Sequence, residues 1–305
     1  MSESTTPNFP PVEIGTEARP PVIVLPDPAT LFARRAARFR ALAPGHDLAP
    51  YLQFLADIAD AQHGIVDTLP TPVLPDADAI ARAVEFSMPV LPRSPFTPDA
   101  VVQETLARLL AALSAIDMPE PAHAALERLR NAEPEALAEA IRNVLDDAIP
   151  VEAIPEHVFL GAALQVHFAR AAARFDAGKL AFIADGVCPV CGGSPVSSGI
   201  VGWQGSERTR FCTCSLCAAR WNAVRIKCLA CSSTKGIHYQ QIEGADGQVK
   251  AECCDECRSY VKIMAEDEGT TLDAVADDVA SLGLDILVRE EGFRPAGVNL
   301  FLIGR

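Results

Sequence analysis

Cysteines 188, 191, 214 and 217 map onto cysteines 228, 231, 254 and 257 by a single shift of forty residues. Both quartets read C-x2-C-x22-C-x2-C, and they take up eight of the ten cysteines in the chain. A shift that fits four positions without a gap is an internal duplication. It dictates local geometry. In a CxxC turn the two sulfurs converge and the amides of the turn point at the first of them. A glycine just after the second cysteine, as at Gly192, permits the tight reversal. Two such turns on facing hairpins bring four thiolates together as a tetrahedron.

Structural zinc uses that arrangement, with metal–sulfur distances near ~2.3 Å, and so does the iron of a rubredoxin. The spacing alone does not separate the two metals. A metal would contribute roughly 10–16 kcal/mol per site at neutral pH. A unit of about 38 residues has too little core to fold without such help. Disulfides or independent dithiols are the competing reading. A thioredoxin-type dithiol, however, expects one CxxC at a helix N-terminus rather than a duplicated quartet. The expected ligand sets lie within one repeat: Cys188, Cys191, Cys214 and Cys217, then Cys228, Cys231, Cys254 and Cys257. A cross-braced pairing is the alternative. Cys212 and Cys253 fall outside the repeat and read as ordinary thiols.

The texture of the chain changes around Gly178. Residues 1–26 are rich in proline and read as a mobile tail. Residues 27–180 read as an α-helical domain. Asp27-Pro28 is an N-cap followed by proline at the first helical position. A second helix is expected within 47–69, entered at Asp47 or Pro50, and further ones at about 76–86, 98–116, 119–131, 134–147 and 155–176. No strand is expected before residue 180. The prolines of 70–98 mark a surface linker. Arg34, Arg35, Arg38 and Arg40 form one stripe and read as a solvated helix face.

Short strands and hairpins follow, with "GADG" (244–247) as a turn. The first metal module is placed at 185–225 and the second at 226–264. The segment 265–305 reads as a C-terminal helix and tail packed on the modules. Leu272, Val275, Ala276, Val279, Leu282 and Ile286 make its apolar face, and Asp277 and Asp278 a solvated one. The fold class is thus multidomain α+β: an α-helical N-terminal domain, two tandem rubredoxin-like or zinc-ribbon-like CxxC modules, and a C-terminal helix.

Charge narrows the function. The chain of 305 residues carries a formal net charge of −14. Residues 188–263 hold nine Lys/Arg and six Asp/Glu, a net of +3, so the remainder carries −17. Eight thiolates on two metal ions bring the cysteine region close to neutral. A nucleic-acid-binding zinc ribbon needs a larger excess of positive charge. No apolar run approaches the ~20 residues of a membrane helix. The N-terminus lacks the basic and apolar regions of a secretory signal. The protein reads as cytoplasmic, where paired cysteines hold metal more often than disulfides. His63, His157 and His167 read as packed or surface side chains, and His238 as a neighbour of the second quartet. No nucleotide-binding, hydrolase or zinc-protease motif is present, no catalytic constellation emerges, and no enzymatic role is expected.

Seven stretches stand out beside the cysteine spacing: "FARRAARFRALA" (32–43), "YLQFLADIADAQ" (51–62), "CPVCGGSPVSSGIV" (188–201), "CSLCAARWNAVRIKCLAC" (214–231), "VKAECCDECRSYVKI" (249–263), "AVADDVASLGLD" (274–285) and "EGFRPAGVNLFL" (291–302). Through them the chain resembles the FdhE family of formate dehydrogenase accessory proteins. The resemblance implies a cytoplasmic factor for assembly of respiratory formate dehydrogenase. The partner it implies is that enzyme's catalytic subunit, a molybdenum and iron–sulfur protein exported folded by the twin-arginine route. It also implies rubredoxin-type sites and moves the expected metal from zinc to iron. A rubredoxin-like electron carrier and a zinc-ribbon nucleic-acid module are the alternatives. The oligomeric state is left open.

Overall fold

The computed structural model describes residues 20–203, 206–244, 247–265 and 272–302. Seven helices fill the first half among these residues. They are α1 (Pro28–Leu42), α2 (Ala49–Val66), α3 (Ala77–Glu85), α4 (Ala100–Leu113), α5 (Glu120–Arg130), α6 (Pro134–Leu145) and α7 (Ile154–Ala172). Their starts follow the sequence signals. Asp27, Asp76 and Asp99 each accept a hydrogen bond from an amide of the first helical turn, Ala29, Ala79 and Val102 respectively. Such caps satisfy donors that the helix itself cannot. Helix α7 is apolar almost all round and is buried along its length, so it forms the axis on which the others pack. Leu52, Leu55, Ile58 and Ala59 of α2, and Ile141, Val144 and Leu145 of α6, are buried on the faces their spacing implies.

The cysteine-rich half is one sheet. Its strands are β2 (Pro195–Trp203), β3 (Ser206–Cys214), β4 (Arg220–Asn222), β5 (Ile237–Gln240), β6 (Val249–Cys254) and β7 (Ser259–Ala265). Each repeat contributes an antiparallel three-stranded unit, ordered β4-β3-β2 and β7-β6-β5. The units join edge to edge where β2 runs parallel to β7, with Ser198 opposite Ile263 and Gly199 opposite Met264. The duplication therefore builds a continuous sheet rather than two beads on a string. Two-residue strands extend it. β1 (Ile23–Val24) pairs with β4, Ile23 opposite Trp221, and β8 (Arg294–Pro295) pairs with β7.

β1 corrects the expectation of no strand before residue 180. Ile23 is buried, and that burial is gained only where the chain lies along the edge of β4. Residues 1–19 of the expected mobile tail, and Ala245 and Asp246 of the GADG turn, lie outside the described residues.

The C-terminal segment is two helices, α8 (Ala276–Ala280) and α9 (Leu282–Glu290), rather than one. Ser281 breaks the run, its hydroxyl donating to the Asp277 carbonyl at 2.7 Å. The break rotates the apolar face. Val275, Ala276 and Val279 are buried as expected, but Leu284 and Val288 continue the stripe while Ile286 is exposed.

The arginine stripe is a solvated face only at Arg34 and Arg40, while Arg38 is half-buried. Arg35 is buried and meets Asp273 at 3.2 Å and Gln165 at 3.2 Å. Arg38 holds Asp277 through both of its carboxylate oxygens, and Arg40 pairs with Asp57 and Asp60. Asp277 and Asp278 are accordingly buried, not solvated. The fully buried Lys262 ammonium lies 3.2 Å from Asp278 and 2.5 Å from Asp285. Asn299 donates to Asp278 at 2.8 Å. Buried charges occur in such paired, hydrogen-bonded sets because isolated ones cost several kcal/mol. These ion pairs fasten the segment after residue 272 to the helical body on one side and to β7 on the other. Leu300 and Phe301 complete the core. Phe301 packs edge-on to Phe39, and Leu300 fits against Gly161, where an added Cβ would approach it to 3.1 Å.

Candidate metal centres

Four reversals at the strand ends carry the cysteines. In the first, the Cys188 amide donates to the Gly193 carbonyl at 2.9 Å and the Gly192 amide to the Cys188 carbonyl at 2.9 Å. The repeat-equivalent bonds recur forty residues on: Cys228 to Ser233 at 2.8 Å and Ser232 to Cys228 at 3.0 Å. The residue after each second cysteine is left-handed: Gly192 at φ +80°, Ala218 at +57°, Ser232 at +62° and Arg258 at +56°. The sequence signals only the glycine. The other three positions accept a conformation that L-residues disfavour, because the CxxC geometry demands it.

The sulfurs then converge within each repeat, as the favoured pairing expects and the cross-braced one does not. The Sγ atoms of Cys188, Cys191, Cys214 and Cys217 all lie within 4.8 Å of one another, and so do those of Cys228, Cys231, Cys254 and Cys257. Individual separations are 3.5 Å for 188–217, 3.3 Å for 191–214, 3.6 Å for 228–257 and 3.7 Å for 231–254. No disulfide is formed. A regular tetrahedron of sulfurs each ~2.3 Å from a metal has edges of about 3.8 Å, so both clusters are close to the size that such an ion requires. Amides also point at a first sulfur as the turn predicts. Leu216 and Cys217 donate to Cys214 at 3.4 and 3.5 Å, and Ala230 and Cys231 to Cys228 at 3.4 Å each.

The proton balance of the clusters favours a cation. Burial pushes the Cys188 and Cys217 thiols well above their ordinary range. Burial acts the same way on Cys214, but hydrogen bonds from Cys188, Cys191 and Cys217 outweigh it and hold this thiol well below that range. At the second cluster burial raises Cys254 to about 12. Burial is outweighed at Cys257 by the Ser259 hydroxyl and the thiols of Cys231 and Cys228, which bring it down to about 7. Each quartet thus favours a thiolate at one position while pushing other thiols toward the protonated form. A metal ion supplies the charge that lets all four ionise. The donor set fits zinc or iron alike.

Cys212 and Cys253 stand apart. Both are buried in the sheet, and burial raises each to about 12, as suits a packed neutral thiol. His238 does not join the second cluster. Its ring lies 3.5 Å from Asp255 and edge-on to Phe293. His63 is exposed. His157 is buried with Nδ1 at 2.6 Å from the Ala153 carbonyl, and His167 is buried between Phe96 and Phe168.

Sequence reasoning missed what surrounds the first cluster. The segment read as a surface linker lies along its turn: Leu91 donates to the Val190 carbonyl at 2.8 Å and Arg93 to the Cys191 carbonyl at 3.3 Å. A Cβ on Gly192 would sit 2.9 Å from Pro89. Gln165 of α7 donates to the Ser215 carbonyl at 2.9 Å. All four ligands are buried here, whereas in the second cluster Cys231 is exposed and Cys257 half-buried.

Among the described residues no helix is long and apolar enough to cross a membrane. The N-terminal FdhE family model matches residues 20–185, the FdhE central domain 187–225 and the FdhE C-terminal domain 226–302. A protein FdhE homolog from Rhizobium meliloti (strain 1021) is 44% identical over 296 residues, covering 96% of this chain and 97% of the relative. Another, from Proteus mirabilis (strain HI4320), is 35% identical over 92% of this chain and 91% of its own length. The crystal structure of the FdhE protein from Pseudomonas aeruginosa is similar with a TM-score of 0.84 at 31% identity, over 93% of this chain and 99% of that one. Matched from residue 20 to residue 302 in sequence and along nearly its whole length in fold, the chain belongs to the FdhE family.

Proposed function

We propose that this protein is a cytoplasmic, non-catalytic accessory factor that binds the catalytic subunit of formate dehydrogenase during its maturation. The observation that carries this reading is family membership that extends through all three parts of the chain. In the same proposal Cys188, Cys191, Cys214 and Cys217 hold one metal ion and Cys228, Cys231, Cys254 and Cys257 a second, with iron the native metal. The near-tetrahedral sulfur spacing supports metal ligation. The preference for iron comes from the resemblance to rubredoxin-type sites.

The test is capture of the client. The full chain, tagged and expressed in a host that makes respiratory formate dehydrogenase, is expected to retain the catalytic subunit through purification. Cys→Ser at 188, 191, 254 or 257 is expected to weaken that retention. Absence of the subunit from the captured wild-type chain would overturn the client assignment. Undiminished capture by the cysteine variants would remove the metal centres from the binding role.

A further inference from the structure

The forty-residue shift makes the two centres comparable residue by residue, and one difference falls directly on the ligands. Ser259 follows Cys257 by two positions, and its equivalent after Cys217 is Ala219. The Ser259 hydroxyl oxygen is 2.9 Å from the Cys257 sulfur and 3.8 Å from the Cys228 sulfur. A metal-bound thiolate has no proton to give, so in the loaded centre the hydroxyl is the donor. Ala219 is fully buried and offers only a methyl group at the matching place.

Turn amides reach a first sulfur in both centres: Leu216 and Cys217 donate to Cys214 at 3.4 and 3.5 Å, Ala230 and Cys231 to Cys228 at 3.4 Å each, and Glu256 and Cys257 also donate to Cys254. Solvent separates them further: Cys231 is exposed, whereas all four ligands of the first centre are buried.

We propose that Ser259 is a positioning residue that, with the exposure of Cys231, sets the second centre at a higher reduction potential than the first when both hold iron. This inference rests on the proposal that the clusters take iron. Reducing a ferric tetrathiolate by one electron takes it from one negative charge to two. A hydroxyl dipole aimed at a ligand sulfur, and water within reach of another, stabilise the added charge. The buried first centre has neither at its equivalent positions, so its ferric state is the more persistent. The second centre therefore accepts an electron from an external low-potential reductant before the first does.

The full chain is loaded with iron, and the thiolate-to-ferric absorption band is followed as the potential is lowered in steps. Two one-electron waves are expected. Cys231→Ser should remove the higher one, which assigns it. Ser259→Ala should lower the higher wave towards the other, Ser259→Thr, which keeps the hydroxyl, should restore it, and Ala219→Ser should raise the lower wave. A single merged wave in the wild type, a higher wave that Ser259→Ala leaves in place, or a second centre that takes no iron would overturn the proposal. Metal analysis of the chain as purified tests the iron reading separately. Zinc as purified, with two separated waves after iron loading, would count against native iron and leave the role of Ser259 standing.

Discussion

The two cysteine clusters share one turn chemistry and differ in what the rest of the chain lays over them. The first is part of the main hydrophobic core, together with α7 and the segment around Leu91. The second stands outside that core, beside a small cluster of Tyr260, Leu284, Val288 and Phe293. Duplication copied the ligands, the backbone reversals and the hydrogen bonds that close them. It did not copy the cover. One centre has become an element on which a helical body is assembled, and the other a site two of whose four ligands, Cys231 and Cys257, reach solvent.

The sharpest way to break this contrast is to remove one ligand from each centre. Cys191→Ser strikes the centre within the main core. Loss of a structural metal is worth roughly 10–16 kcal/mol, as much as the ~5–15 kcal/mol that holds a typical domain folded. The variant is expected to be insoluble or to lose its helical circular dichroism. Cys231→Ser should lose one ion and keep the helical signal and a cooperative melt. Equal damage from both, or a fully folded Cys191→Ser chain, would show that the difference in cover has no energetic meaning.

Acid tests the cover from the helical side. His167 on α7 is held neutral by burial, with its pKa lowered to about 4 from an ordinary 6.5. Between those values the unfolded chain binds the extra proton, so stability falls as pH drops from about 6.5 towards 4. The full loss is roughly 3 kcal/mol. His167→Leu should flatten the fall in melting temperature over that window. An unchanged slope would mean that the histidine already carries its proton when folded.

A smaller effect sharpens the comparison at the turns themselves. Gly192 combines a left-handed backbone with close approach of Pro89, so Gly192→Ala should cost about 1–3 kcal/mol. Ser232 occupies the same conformation in the open centre without a glycine. Ser232→Gly should raise stability by about 1 kcal/mol or less. Urea midpoints decide both, and the reverse signs would deny that the left-handed turns are strained.

What the sequence made legible follows the same division. Ligand spacing, caps and helix faces are local, and Cys188 through Cys257, Asp27 and Ile141 could be read from their neighbours. The partners of Arg35 and Arg38 could not. A stripe on one helix does not reveal that Asp273 and Asp277, more than two hundred residues later, will face it. The cover over the first cluster was hidden for a similar reason, since prolines 89, 92 and 95 mark a non-helical segment but not what it rests on. Ser259 had a faint signal: the shift that found the ligands also sets it against Ala219. The broken C-terminal helix was missed because Ser281 suits a helix interior nearly as well as a break.

Counting metals tests most directly whether each quartet holds one ion. Native mass spectrometry with elemental analysis on chain purified without oxygen should find two ions per wild-type chain and one per Cys231→Ser chain. Wild-type protein that is metal-free and folded, with its cysteines free or joined as disulfides, would contradict the account.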